Sequence, residues 1–263
     1  MNYRINGTSW ADDLQSRGFD VWSFDFAGYG GSDRPRPMQD PARGTIPGRA
    51  SEAVRQIERV VRHVLAQSGR RQLSIIAHSW GTIPAGLFAG RHPEQLDRLI
   101  LFGPVAERPG QRDSPTSPLL LVSAADQWRS FQSGVPEAGP AVIPEARFNQ
   151  WAAAYLSTDP TASTRFPPSV AVPSGPDADF ADAWSGRLPY DPSMVRSPTL
   201  IVRGEWDLIT RDEDAAWLVA AMTAVPGGAR DLKLPGGAHR MHLESGREAL
   251  FEAVAAFLGE TLR

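Results

Sequence analysis

The chain has 263 residues, 41% hydrophobic and 22% charged, enough to bury one large core, and its formal net charge of −3 gives no basis for nucleic-acid binding. It has no cysteine, which excludes disulfides, thiolate metal sites and a cysteine nucleophile. No apolar run is long enough to span a bilayer and Met1 to Trp10 lacks the apolar core of a signal peptide, so no membrane partner and a cytoplasmic location are expected.

Phe19 to Phe26, apolar and aromatic and ending at Gly28, is predicted to be a strand. Ser51 to Ala66 is predicted to be an amphipathic helix. Val54, Ile57, Val60, Val61, Val64 and Leu65 share one face, and Ser51 is the expected N-cap. Leu73 to Ala77 is a second strand. Gly81 to Gly90 follows as a helix, with Pro84 in its first turn where proline is tolerated. Leu99 to Phe102 is a third strand, ended by Gly103-Pro104.

The composition then changes. Residues 105–196 are rich in Pro, Gly, Ser and aromatics and lack strand–helix alternation. They are assigned as an insertion between a first core part (1–104) and a second (197–263). Trp128, Phe131, Phe148, Trp151, Tyr155, Phe166 and Trp184 lie in it, most of them expected in the insertion's own small core, one or two facing a substrate pocket. The core resumes with a strand from Thr199, a helix from Asp212 to Met222, a strand from Asp231 to Leu234 and a terminal helix from Gly246 to Leu262.

Chemistry concentrates at Ala77-His78-Ser79-Trp80-Gly81, between a strand and a helix. Small residues two before and two after Ser79 are expected where a sharp turn crowds the backbone and exposes a serine Oγ. Serine needs an adjacent base, itself oriented by an acid. Asp207 follows the strand from Thr199, and His239 follows the strand ending at Leu234. In a parallel sheet all three loops open at the carboxyl ends of the strands, where such sheets place ligands. His242 competes with His239 as base, and Glu107 with Asp207 as acid. His78 is expected to point away from the serine, in a structural role. Asp25 and Asp33 are expected to stabilise the turn at Gly28-Tyr29-Gly30-Gly31, and Glu205 and Asp212 to be solvated. No His, Asp or Glu cluster has metal-ligand spacing, so no metal or cofactor is expected.

Four motifs together resemble the α/β-hydrolase fold family, in its esterase, lipase and peptidase-like branch: Asp25-Phe26-Ala27-Gly28-Tyr29-Gly30-Gly31-Ser32, the turn at Ser79, Gly204-Glu205-Trp206-Asp207, and Gly237-Ala238-His239 followed by His242-Leu243-Glu244. The resemblance implies a mostly parallel sheet with helices on both faces and a cap inserted over the site. It favours His239 over His242 and Asp207 over Glu107. It implies an ester, lactone or small amide hydrolase acting on a small, largely apolar molecule through Ser79, His239 and Asp207, with the Trp80 backbone N–H donating to the oxyanion. The Trp80 side chain is expected either to line the pocket or to pack beneath the cap. A carbon–carbon bond hydrolase, or an inactive binding protein of the same fold, are the alternatives.

The chain departs from the family in one place. A second oxyanion donor normally follows an earlier strand in a His-Gly loop, and neither is present before Phe19. Trp10 to Arg17 resembles the helix after that loop. The departure implies a truncated chain, either an internal methionine taken for the start or a natural fragment; in-frame coding sequence upstream of Met1 is the test.

Overall fold

The computed structural model describes residues 1–40 and 44–260. Its strands are β1 (Leu73–His78), β2 (Leu96–Phe102), β3 (Leu119–Ser123), β4 (Ser169–Pro173), β5 (Thr199–Gly204) and β6 (Arg230–Leu234). Its helices are α1 (Trp10–Ser16), α2 (Arg36–Gln39), α3 (Ala50–Ser68), α4 (Thr82–Arg91), α5 (Ala124–Gln132), α6 (Glu145–Ser157), α7 (Gly175–Ala183), α8 (Asp212–Ala221) and α9 (Arg247–Gly259). The predicted end of the last helix at Leu262 lies outside the described residues.

β1, β2, β5 and β6 form one sheet in that order, every pair parallel. Parallel neighbours need crossovers, which α4, the long insertion and α8 provide. Alternate side chains of a strand face opposite ways, so a strand buried on both sides reads as a continuous apolar run. Leu99 and Leu101 of β2 and Ile201 of β5 pack with Ile83, Ala89, Leu218 and Met222 on one face. Ile100, Phe102, Leu200 and Val202 pack with Trp10, Leu14, Leu250, Phe251 and Val254 on the other. Helices thus cover both faces, α4 and α8 on one and α1 and α9 on the other.

Phe19 to Phe26 forms no strand and joins no ladder among the described residues. Phe19 and Val21 pack on the face of α1 and α9, whereas Phe26 packs against Val54, Ile57 and Val61 of α3. Its side chains therefore alternate as a strand's do, while its backbone has no neighbouring strand. Trp22 and Phe24 are 47% and 40% exposed. The amphipathic face of α3 forms as predicted, but the helix begins at Ala50 with Arg49 at the cap, leaving Ser51 inside the first turn. The cause is a long-range partner: Asp179 of α7 accepts the Ala50 N–H at 2.7 Å and the Arg49 Nε at 2.6 Å.

Within the insertion, β3 and β4 pair antiparallel, with α5 and α6 between them in sequence. Phe131, Val142, Ile143 and Phe148 form a separate cluster joined by Trp128 and Trp151. Phe131 meets the Trp151 ring edge-on at 5.2 Å, and Trp151 stacks on Tyr155 at 5.3 Å. Two of the aromatics lie elsewhere. Phe166 is fully exposed, and Trp184 packs against the main core with Arg108 4.4 Å above its ring.

Candidate active site

β1 ends at His78, and the chain turns through Ser79–Gly81 into α4. Ser79 has φ of 56°, a left-handed conformation that costs a non-glycine residue about 1–3 kcal/mol. Thr82 secures the turn by donating to the Ser79 carbonyl at 2.6 Å and accepting from the Val105 N–H at 3.2 Å. The crowding expected at Gly81 is absent, because a Cβ there would meet nothing within 4 Å. Crowding falls instead on Gly103, after β2. Its φ is 54°, and an added Cβ would lie 2.8 Å from Asp207 Oδ2 and 3.0 Å from the His239 ring.

The structure brings Ser79, Asp207 and His239 together from the ends of β1, β5 and β6. His239 Nε2 lies 2.8 Å from Ser79 Oγ, and Nδ1 lies 2.9 Å from Asp207 Oδ2. The Asp207 side chain is fully buried. Its Oδ1 accepts backbone N–H groups of Ile209 at 2.8 Å and Thr210 at 3.2 Å, so both carboxylate oxygens are satisfied and the group stays oriented. The loop that carries His239 sits tightly on β5: the Trp206 N–H donates to the Gly237 carbonyl at 2.9 Å, and a Cβ on Gly204 would be 2.2 Å from that oxygen.

The competing residues are placed elsewhere. Glu107 accepts the Leu188 N–H at 3.0 Å. His242 is half-buried beside Phe102 and Trp10, with no hydrogen-bond partner at Nδ1 among the described residues. Burial, reinforced by the nearby amino terminus, Arg240 and His239, holds its pKa well below the ordinary imidazole value. Asp25 accepts the Gly31 N–H at 2.9 Å, as expected of a turn residue. Glu205 is not merely solvated, since it accepts the Gly236 N–H at 2.9 Å; Asp212 pairs with Arg203 at 2.6 Å and Lys233 at 3.0 Å. The Trp80 indole N–H donates to Asp179 at 2.8 Å, and its ring meets Phe26 edge-on at 5.7 Å. Among the described residues no His, Asp or Glu group is arranged to hold a metal ion, and no helix is long and apolar enough to cross a membrane.

Three residues about the site were given no such role by sequence reasoning. Asp179 joins α7 to both Trp80 and α3. His78 does lie off the serine, yet its ring is 4.7 Å from that of His239 and its Nε2 is 2.8 Å from the His239 carbonyl. Burial, then the charges of His239 and His242, hold His78 well below the ordinary imidazole range. Glu244 accepts the N–H groups of Ala238 at 2.8 Å and Arg240 at 3.1 Å. Burial outweighs those two bonds and pushes its carboxyl up to about 7. Only Glu244 left a sequence signal, its place in the segment after the base.

A family model described as the alpha/beta hydrolase fold matches residues 2–245. No curated protein sequence matches the chain. Among solved structures, a meta-cleavage product hydrolase from Pseudomonas fluorescens superposes with a TM-score of 0.65 at 14% identity, over 95% of this chain and 83% of that one. An esterase from Exiguobacterium antarcticum gives 0.61 at 19% identity, over 95% and 85%. A monoacylglycerol lipase from Paleococcus ferrophilus gives 0.58 at 15% identity, over 95% and 86%. At such identities these structures speak for the fold alone, and with the family match spanning nearly the whole length, the chain belongs to the alpha/beta hydrolase fold family.

Proposed function

We propose that this chain is a serine hydrolase that cleaves an ester, lactone or small amide bond of a small, largely apolar molecule. The observation that carries the reading is the continuous line Ser79 Oγ–His239–Asp207, with contacts of 2.8 and 2.9 Å. Nucleophile, base and orienting acid meet at hydrogen-bond distance, the geometry that acyl transfer requires. Ser79 Oγ attacks the carbonyl carbon as its proton passes to His239 Nε2. The leaving group departs with that proton, leaving an acyl-serine. Water then attacks the acyl carbon, giving its proton to His239, and Ser79 recovers a proton as the acid is released. Asp207 holds the Nδ1 proton in place and stabilises the imidazolium. The Trp80 N–H, in the turn that leads into α4, donates to the developing oxyanion, where the positive end of the helix dipole adds to it.

Residues 105–196 act as a cap in this reading. In support, their aromatic cluster packs onto Ala238 and Leu243, on either side of His239 in sequence, and α7 reaches Trp80 through Asp179. Likeness to an esterase and a lipase is consistent with ester substrates. The test is fluorophosphonate labelling of the folded chain together with p-nitrophenyl acetate hydrolysis. Both are expected in the wild type and lost in Ser79→Ala. A folded wild type that neither labels nor hydrolyses would overturn the reading in favour of an inactive binding protein.

A further inference from the structure

We propose that His78 and Glu244 are positioning residues that clamp the backbone on both sides of His239 and so set where its ring stands against Ser79. The proposal rests on the reading of His239 as the base.

The base loop lies between β6 and the turn at Met241–Leu243, outside any strand or helix, and begins with Pro235-Gly236-Gly237. A loop of that composition does not fix its own geometry. Three consecutive backbone groups around the base are held by side chains instead. Glu244 Oε2 takes the N–H of Ala238 at 2.8 Å, and Oε1 takes the N–H of Arg240 at 3.1 Å. Both partners are donors, so the position needs two acceptor oxygens; glutamine would turn an NH₂ toward one of them. The carbonyl of His239 itself faces His78 Nε2 at 2.8 Å. A carbonyl accepts, so Nε2 carries the proton. Loss of hydration keeps the half-buried His78 ring neutral at neutral pH, and that single proton is therefore committed to this bond.

His78 cannot easily move. Its ring stacks on Phe102 at 4.4 Å and meets His242 edge-on at 5.0 Å. It is also the residue before the nucleophile. Two neighbours in the chain thus grip one histidine at two points: His78 takes its backbone and Ser79 its Nε2. A shift of the base loop relative to β1 would have to break both contacts. Misplacement of a catalytic group by about 1 Å can cost about a hundredfold in rate, which is what such a clamp guards against.

The test uses Glu244→Gln, His78→Phe and His78→Gln in the full chain, with circular dichroism to confirm folding. His78→Phe keeps a ring against Phe102 but removes the donor. His78→Gln restores an N–H near the position of Nε2. Two readouts are taken: kcat and KM for p-nitrophenyl acetate, and the downfield proton resonance of His239 Nδ1–H. Glu244→Gln and His78→Phe are expected to lower kcat by about tenfold or more, the loss of roughly one hydrogen bond's effect, with KM within about twofold. Both are expected to shift or broaden the resonance, and His78→Gln to recover most of each. Folded Glu244→Gln and His78→Phe proteins that keep wild-type kcat and an unmoved resonance would overturn the clamp. If His78→Phe does not fold, Glu244→Gln decides. A wild type that fails to hydrolyse or label would overturn the hydrolase reading, while the resonance would still report on the clamp.

Discussion

At the residue scale, the site depends on what is absent as much as on what is present. Gly103 has no side chain, and the acid–base pair occupies the space one would take. Gly103→Ala would place a methyl at 2.8 Å from Asp207 Oδ2 and 3.0 Å from the His239 ring, in a backbone conformation that alanine resists. The pair must move to admit it. A fall of about a hundredfold in fluorophosphonate labelling rate is expected, with the far-ultraviolet circular dichroism unchanged. Ser79, Asp207 and His239 were legible in the sequence because each follows an apolar strand, and a parallel sheet gathers strand ends. Gly103 could be read only as a strand terminator, since its neighbours Asp207 and His239 are more than a hundred residues away. The part His78 plays was illegible, and that of Glu244 showed only as its place in the segment after His239, for a related reason. They act on backbone groups, and a backbone partner leaves no residue type to recognise.

At the element scale, the decisive contact is the one that α7 makes through Asp179. Its buried carboxylate takes the Trp80 indole N–H, the Ala50 N–H at the start of α3, and Arg49. One group thereby ties together the start of α3, the side chain that follows Ser79 and α7. Asp179→Asn removes the charge and turns an NH₂ toward one of the donors. A loss of about 2 kcal/mol in unfolding free energy is expected from urea titration, with a shift in tryptophan emission. The predicted start of α3 at Ser51 missed by one residue because its true cap is 130 residues distant. The apolar stripe of α3 was readable, since it is set by local periodicity. Phe19 to Phe26 shows the converse. Its composition favours a strand and its side chains alternate like one, but strand structure also needs a neighbour, and composition is blind to that.

At the scale of the whole molecule, three titratable groups withdrawn from water bear on the acid response. Glu244, raised to about 7, binds its proton more tightly folded than unfolded. Its contribution is present below the ordinary glutamate range and lost as pH rises to about 7. His78 and His242 oppose it. Their pKa values are lowered from 6.5, so unfolding lets both take up protons, and the stability they hold is lost as pH falls below that value. Between pH 5 and 6.5 two imidazoles oppose one carboxyl. Unfolding free energy is therefore expected to fall on acidification from pH 6.5 to 5, measured as urea midpoints at pH 5, 6 and 7. His242→Phe removes one imidazole and is expected to flatten the slope.

The parallel sheet has β1 at one edge, and β1 is half-buried along its whole length while β2 and β5 beside it are almost wholly buried. Among the described residues, the strand that leads into Ser79 is therefore held by a ladder on one side only. A strand so placed opens without disturbing its neighbours, since local opening needs only the bonds on its inner side to break. Its amides will trade hydrogen for deuterium well ahead of those in β2 and β5. Ser79 then stands at the end of an edge strand, which opens before the centre of the sheet does. Heat will reach the site before it reaches the fold, so activity will fade at temperatures where most of the helical signal survives.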